Sequence, residues 1–72
     1  MTNTVALERL IAERGIKKGK LANSINVSYH WLKKKINNEV PFTAGEILIL
    51  CDLLGINDLR QREEIFFAKK VD

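Results

Sequence analysis

The sequence is poor in cysteine, histidine and proline, with one of each among its 72 residues. A single Cys excludes an internal disulfide framework, and one Cys with one His cannot supply the four ligands of a structural zinc site. The longest apolar run, 47–51, is far shorter than the ~20 residues that a membrane-spanning helix requires. The N-terminal Met-Thr-Asn-Thr lacks the charged and apolar regions of a signal peptide. We therefore expect a chain of the reducing cytoplasm, with no metal site and no membrane segment.

The composition of the sequence is that of one small globular protein. Its hydrophobic content of 46% is that of an ordinary globular chain. A chain of 72 residues hides only about 60% of the surface that its unfolded form exposes, so its core is small. No internal repeat or linker divides the sequence. We therefore predict a single domain over residues 1–72.

The net charge of +3 is unevenly distributed along the chain. Residues 14–38 contain one Arg, six Lys and no acid, so this stretch carries +7, whereas residues 1–13 carry −1 and residues 39–72 carry −3. Such a basic segment is typical of a surface that binds phosphate groups or an acidic partner. The alternative is a solvated lysine-rich face without a ligand.

The apolar residues follow helical spacing and nowhere alternate as they would in a strand. Gly15 and Gly55 are placed as C-terminal stops, Ser28 as an N-cap, and Thr43 with Glu46 as a capping box. These signals predict five short helices, the second over 18–25 and the third ending at about 37. Connections of about 2–6 residues then give a compact all-α fold.

The second and third helices together have the pattern of a helix-turn-helix, at about residues 18–37. This motif joins two short helices through a turn of about three residues and requires a small residue at the crossing, a turn residue and apolar residues after it. The chain meets these requirements with Ala22, Asn26, Val27, Leu32 and Ile36.

With one helix before the motif and two after it, the chain resembles the λ-repressor/Cro-like family of temperate-phage regulators. The resemblance covers nearly the whole sequence and implies a five-helix DNA-binding domain whose third helix reads the major groove. It also implies binding as a dimer, because one short helix reads too few bases. Phe66 and Phe67 are candidates for the dimer surface, although we expect one of the two to close the core.

If DNA is the ligand, we expect Ser28, Tyr29 and His30 to face the major groove. Relatives often have a Gln at the position of Lys18, where it contacts the DNA backbone; a lysine can meet phosphate but lacks the paired donor and acceptor of an amide. The basic side chains expected to hold phosphates are Lys17, Lys18, Lys20, Lys33, Lys34 and Lys35.

The outer face of the third helix departs further from a DNA-reading pattern. Tyr29, His30 and Trp31 stand where base-reading relatives usually have Gln, Arg, Asn, Ser or Thr, whose donors and acceptors match base edges. Tyr and Trp are instead common at the centres of protein interfaces. The alternatives are that Trp31 packs into the core against the second helix or the 37–41 loop, and that Tyr29 is a half-buried residue at the core edge.

The whole chain also resembles the small antirepressors of lactococcal temperate phages. That resemblance implies a complex with the N-terminal DNA-binding domain of the phage lysogenic repressor, which blocks operator binding at the lysis–lysogeny switch. The aromatic helix agrees with it, so we favour an antirepressor, possessing at most weak DNA binding, over a Cro-like DNA-binding repressor. The predicted recognition surface comprises Ser28, Tyr29, His30, Trp31, Lys33 and Lys34, supported by Lys17, Lys18, Lys20 and Lys35.

Other classes of function find little support in the sequence. An enzyme is not expected, because there is no second His, no Gly-rich phosphate loop and no acidic cluster with ligand spacing. We expect no cofactor and no small-molecule substrate. Cys51 lies on an apolar helix face and is expected in the core. An antitoxin-type partner module shares the predicted fold and stays open as an alternative.

Overall fold

The computed structural model describes residues 1–69, which form five α-helices and no strand. The helices are α1 (Thr4–Arg14), α2 (Lys18–Ser24), α3 (Tyr29–Ile36), α4 (Ala44–Leu54) and α5 (Leu59–Phe66). The predicted all-α fold is therefore confirmed, whereas the predicted domain boundary at residue 72 lies outside the described residues. None of these helices has the length and hydropathy needed to cross a bilayer.

Local side-chain signals set the ends of the longer helices. Thr43 and Glu46 form the predicted capping box at the start of α4, in which each side chain accepts a hydrogen bond from the other residue's backbone N–H. Gly15 and Gly55 follow α1 and α4 in the left-handed conformation, with φ of 67° and 70°. A residue without Cβ adopts this conformation at little cost, so both helices end where the glycines stand.

The second and third helices are each one residue shorter than the sequence predicts. Ile25 and Asn37 cap α2 and α3 with ψ near 11°, outside the helical range. Each is followed by an Asn in the left-handed region, Asn26 with φ 59° and Asn38 with φ 66°. Asn tolerates this region better than most residues, so the chain reverses there and the helix stops.

The core is formed by one cluster of apolar side chains from all five helices. Cys51 belongs to it as predicted, and burial raises the pKa of its thiol against the lowering effect of the Arg62 charge. Phe66 is buried and meets the Phe42 ring edge-on at 5.5 Å, while Phe67 is half-exposed. One of the two candidate phenylalanines, Phe66, therefore closes the core, as expected from the sequence. The most deeply buried side chains are Leu7, Leu21, Leu32, Leu50 and Leu54.

The packing order of the helices leaves one side of α3 uncovered. α2 packs against both α3 and α4, while α1 packs against α4 and α5. The buried residues of α3 are Leu32, Lys35 and Ile36, which lie on the side that faces α2 and the α3–α4 loop. The opposite side of α3 is therefore available to a ligand.

Candidate functional site

The turn between α2 and α3 has the geometry that the sequence motif requires. The Val27 N–H donates to the Ala22 carbonyl at 3.0 Å across the turn, and Ala22 is buried at the crossing of the two helices. Ser28 caps α3 because its hydroxyl oxygen accepts the Trp31 N–H at 3.0 Å. These bonds fix the direction in which α3 leaves the turn, and hence the orientation of its exposed side.

The aromatic side chains of α3 lie at the surface. Trp31 is 41% exposed and Tyr29 is 51% exposed, and His30 between them is exposed as well. Trp31 is absent from the buried cluster, so the alternative in which it completes the core is wrong. Tyr29 is also absent from the buried cluster and from the side chains packed against it, so the structure gives no support to a place at the core edge.

Two lysines of the same helix lie against these rings. The Lys33 ammonium is 5.8 Å from the centroid of the Tyr29 ring, and the Lys34 ammonium is 5.6 Å from the centroid of the Trp31 ring. Residues four and three apart are neighbours on a helix, and each cation–aromatic contact at an exposed site contributes about 0.5–1 kcal/mol. Tyr29 with Lys33 and Trp31 with Lys34 therefore form two aromatic–lysine pairs on the exposed side of α3, which together we call the aromatic–lysine face.

Lys35 does not belong to this face, so its prediction as a supporting surface contact is wrong. The residue is only 4% exposed, and its ammonium donates to the Glu46 carboxylate at 2.9 Å and to the Pro41 carbonyl at 3.1 Å. The aliphatic stem of Lys35 runs beside the buried side of α3, which lets its charge reach the start of α4. The Lys35 charge therefore pairs with Glu46 inside the fold and is not available at the surface.

The Lys35 contact also changes the carboxyl group of Glu46. Burial by itself raises the pKa of Glu46, but the Thr43 backbone N–H and the Lys35 ammonium both favour the charged form. Their combined effect is larger, so the pKa of Glu46 lies below its ordinary value. The Glu46 carboxyl is therefore ionised at neutral pH, and its contact with Lys35 links α3 to α4.

The lysines at the start of α2 differ from one another in their surroundings. Lys17 and Lys20 are exposed. The Lys18 ammonium instead forms an ion pair with Glu8 of α1 at 2.9 Å, with both side chains partly exposed. Such pairs contribute little to stability, but this one partly neutralises a charge that the sequence alone presents as available.

Neither of these ion pairs is predictable from the sequence. Glu8 and Lys18 are ten residues apart, and Lys35 and Glu46 are eleven apart. Neither spacing brings residues together within one helix, so only the packing between helices joins them. No short-range signal could have found them.

The comparison with known families agrees with this geometry. Residues 6–59 match the Cro/C1-type helix-turn-helix DNA-binding domain. The chain belongs to this family. The matched range runs from the first turn of α1 to the first residue of α5 and includes the whole α2–turn–α3 unit.

Membership in the Cro/C1-type family places the chain among helix-turn-helix regulators of transcription. No curated protein matches the sequence, and no solved structure does. The closer resemblance to lactococcal phage antirepressors stays a prediction.

Proposed function

We propose that this Cro/C1-type domain is an antirepressor of a phage lysis–lysogeny switch. It binds the N-terminal DNA-binding domain of the phage's lysogenic repressor, in the cytoplasm of the bacterial host, and prevents that domain from reaching its operator. The observation that carries this proposal is the aromatic–lysine face, which occupies the position where a helix-turn-helix protein reads bases.

The chemistry of this face is poorly suited to reading base edges. Sequence-specific contacts rely on side chains such as Arg, Asn and Gln that form paired hydrogen bonds with a base. Tyr29 and Trp31 offer ring surface and one polar atom each. Ser28, the short polar residue before them, already uses its hydroxyl oxygen to cap α3.

The same face is well suited to a protein partner. Exposed Trp and Tyr side chains bury a large area with few rotatable bonds, and they are enriched among residues that dominate binding energy. Lys33 and Lys34 border the rings, and the exposed Lys17 and Lys20 lie on the neighbouring α2 side. The complementary surface is an apolar patch flanked by carboxylates on the repressor domain.

The ring of Trp31 is exposed rather than part of the core, so it can be removed without opening a cavity in the core. We expect Trp31→Ala to weaken the complex with the purified repressor DNA-binding domain by about 2 kcal/mol, as for a central interface residue. Isothermal titration calorimetry measures this loss. The matched control is Leu59→Ala, which removes another exposed apolar side chain, at the start of α5.

Circular dichroism and thermal melting show whether the Trp31 variant is folded. Equal affinities of the wild-type chain and a folded Trp31→Ala variant would contradict the proposal. Unfolding of the variant would instead assign Trp31 a structural role and remove the observation on which the proposal depends.

A Cro-like DNA-binding repressor is the second candidate, favoured by the family match and by the exposed lysines around the motif. In this case the chain alone binds its operator, and log affinity falls with log salt concentration at about 0.9 per phosphate neutralised. Under the antirepressor proposal, DNA binding by the chain alone is weak and limited to low salt.

A further inference from the structure

A groove extends from the aromatic–lysine face onto α1. It has a volume of about 430 Å³ and lies between the second half of α1 and the start of α2, with Tyr29 of α3 in its lining. Ile11, Ala12 and Ile16 supply apolar surface to the groove, and Ala12 is exposed within it. A volume of this size holds one large apolar side chain with room to spare.

The charges beside the groove are not balanced. Glu8 and Lys18 line it as an ion pair, so together they add no net charge. Lys17 also lines the groove and is exposed, and it forms no ion pair with any residue in the range 1–69. The uncompensated charge at this site is therefore a single positive one.

We propose that this groove is the second half of the repressor-binding surface, and that it takes an apolar side chain of the repressor domain with a carboxylate beside it. The inference rests on the proposed antirepressor function. The apolar lining receives the side chain, and the carboxylate meets Lys17. Because Tyr29 belongs both to the groove and to the aromatic–lysine face, one partner surface contacts α1, α2 and α3 together.

Ala12→Arg tests the groove directly. Ala and Arg have similar helix propensities and Ala12 is exposed, so the variant is expected to fold. The new side chain occupies part of the groove and places a charge where an apolar group docks. We expect affinity for the purified repressor domain to fall at least tenfold, measured by isothermal titration calorimetry.

Leu59→Arg is the matched control, because it makes the same change of charge at an exposed apolar residue of α5 outside the groove. We expect its affinity to stay within twofold of wild type. Both variants become more basic, so a general attraction to acidic groups would strengthen binding by both. Ala12→Gln, which occupies part of the groove without adding a charge, is expected to weaken binding in the same direction as Ala12→Arg.

Parallel titrations with Trp31→Ala separate this inference from the function on which it rests. If Trp31→Ala weakens the complex while both Ala12 variants bind like Leu59→Arg, the groove proposal is overturned and the antirepressor proposal stands. If the wild-type chain forms no complex with the repressor domain, both are overturned. Loss of affinity in Trp31→Ala and in both Ala12 variants, with Leu59→Arg unchanged, supports both.

Discussion

One carboxylate oxygen of Glu46 links α3, the recognition helix of the helix-turn-helix, to the start of α4. Oε1 of Glu46 accepts hydrogen bonds from the Lys35 ammonium and from the Thr43 backbone N–H, both at 2.9 Å. The same oxygen atom therefore caps α4 and pairs with the buried ammonium group of Lys35. Because the Lys35 and Glu46 side chains are 5% and 15% exposed, water replaces neither partner easily.

The pH dependence of stability follows from this pair. The pKa of Glu46 in the folded chain lies below its ordinary value of 4.5. A carboxyl with a lowered pKa stabilises the fold fully above its unfolded pKa, and this contribution is lost as the pH falls through the folded pKa. We expect Glu46→Gln to lower the free energy of unfolding by about 3 kcal/mol at pH 7, because Lys35 then stays buried without its counter-charge.

Urea unfolding at pH 7 and at pH values below 4.5 measures both effects. The wild-type chain should lose stability on acidification, and the difference between it and Glu46→Gln should shrink as the carboxyl becomes protonated. Asp52, an exposed acid of the same helix, provides the control as Asp52→Asn. A difference between wild type and Glu46→Gln that does not change with pH would contradict this account.

At the scale of elements, the turn after α3 is hydrogen-bonded to the segment before α1, and that segment is hydrogen-bonded to α5. Asn38 accepts the Thr2 N–H and donates its own side-chain amide to the Thr2 carbonyl, each at 2.8 Å. Asn3 then donates its N–H to the Ile65 carbonyl of α5 at 2.7 Å. The segment before α1 thus connects the end of the recognition helix to the last helix.

Asn38 stabilises the fold in two ways: through its side-chain hydrogen bonds to Thr2 and through its tolerance of the left-handed backbone conformation. Two substitutions separate these contributions to stability. Asn38→Ala loses both, so we expect it to lower the free energy of unfolding by about 2 kcal/mol. Asn38→Gly loses only the hydrogen bonds and should cost about half as much. Chemical denaturation of the two variants checks the order; a larger loss for Asn38→Gly than for Asn38→Ala would contradict it.

The sequence was a good guide to helix ends and to the buried seam of α3, Leu32 and Ile36, but a poor guide to which flank of that seam the fold covers. Gly15, Ser28 and Gly55 act through bonds within a few residues, so local pattern sufficed to place the helix ends near them. Lys33 and Lys35 lie about 80° to either side of the buried seam of α3, so helical spacing treats them alike. Only the approach of α4 on one side buries Lys35 and leaves Lys33 exposed.

At the scale of the whole molecule, the basic segment carries less available charge than its sequence suggests. Residues 14–38 carry a formal +7, but the ammonium groups of Lys18 and Lys35 pair with Glu8 and Glu46. Arg14 donates its Nε–H to the Leu54 carbonyl at 2.8 Å and thereby joins α1 to the end of α4. Within residues 14–38 the lysines without an ion pair are Lys17, Lys20, Lys33 and Lys34, which lie on α3 or at the start of α2.

The sequence predicts the fold more directly than it predicts the ligand. The Cro/C1-type fold follows from apolar spacing and turn residues that any member needs. The choice of ligand depends on the orientation of Tyr29 and Trp31, which helical spacing leaves open and the packing of α3 determines. Under the antirepressor proposal, a member of a DNA-binding family presents protein-binding chemistry on α3.

The most direct test of the antirepressor proposal mixes the chain, the lysogenic repressor and its operator DNA in a gel-shift experiment. The proposal predicts that the repressor shifts the operator, that this chain alone does not at physiological salt, and that adding this chain abolishes the repressor–DNA band. An operator shift by this chain alone, with the repressor–DNA complex unaffected, would contradict the proposal and favour a Cro-like repressor.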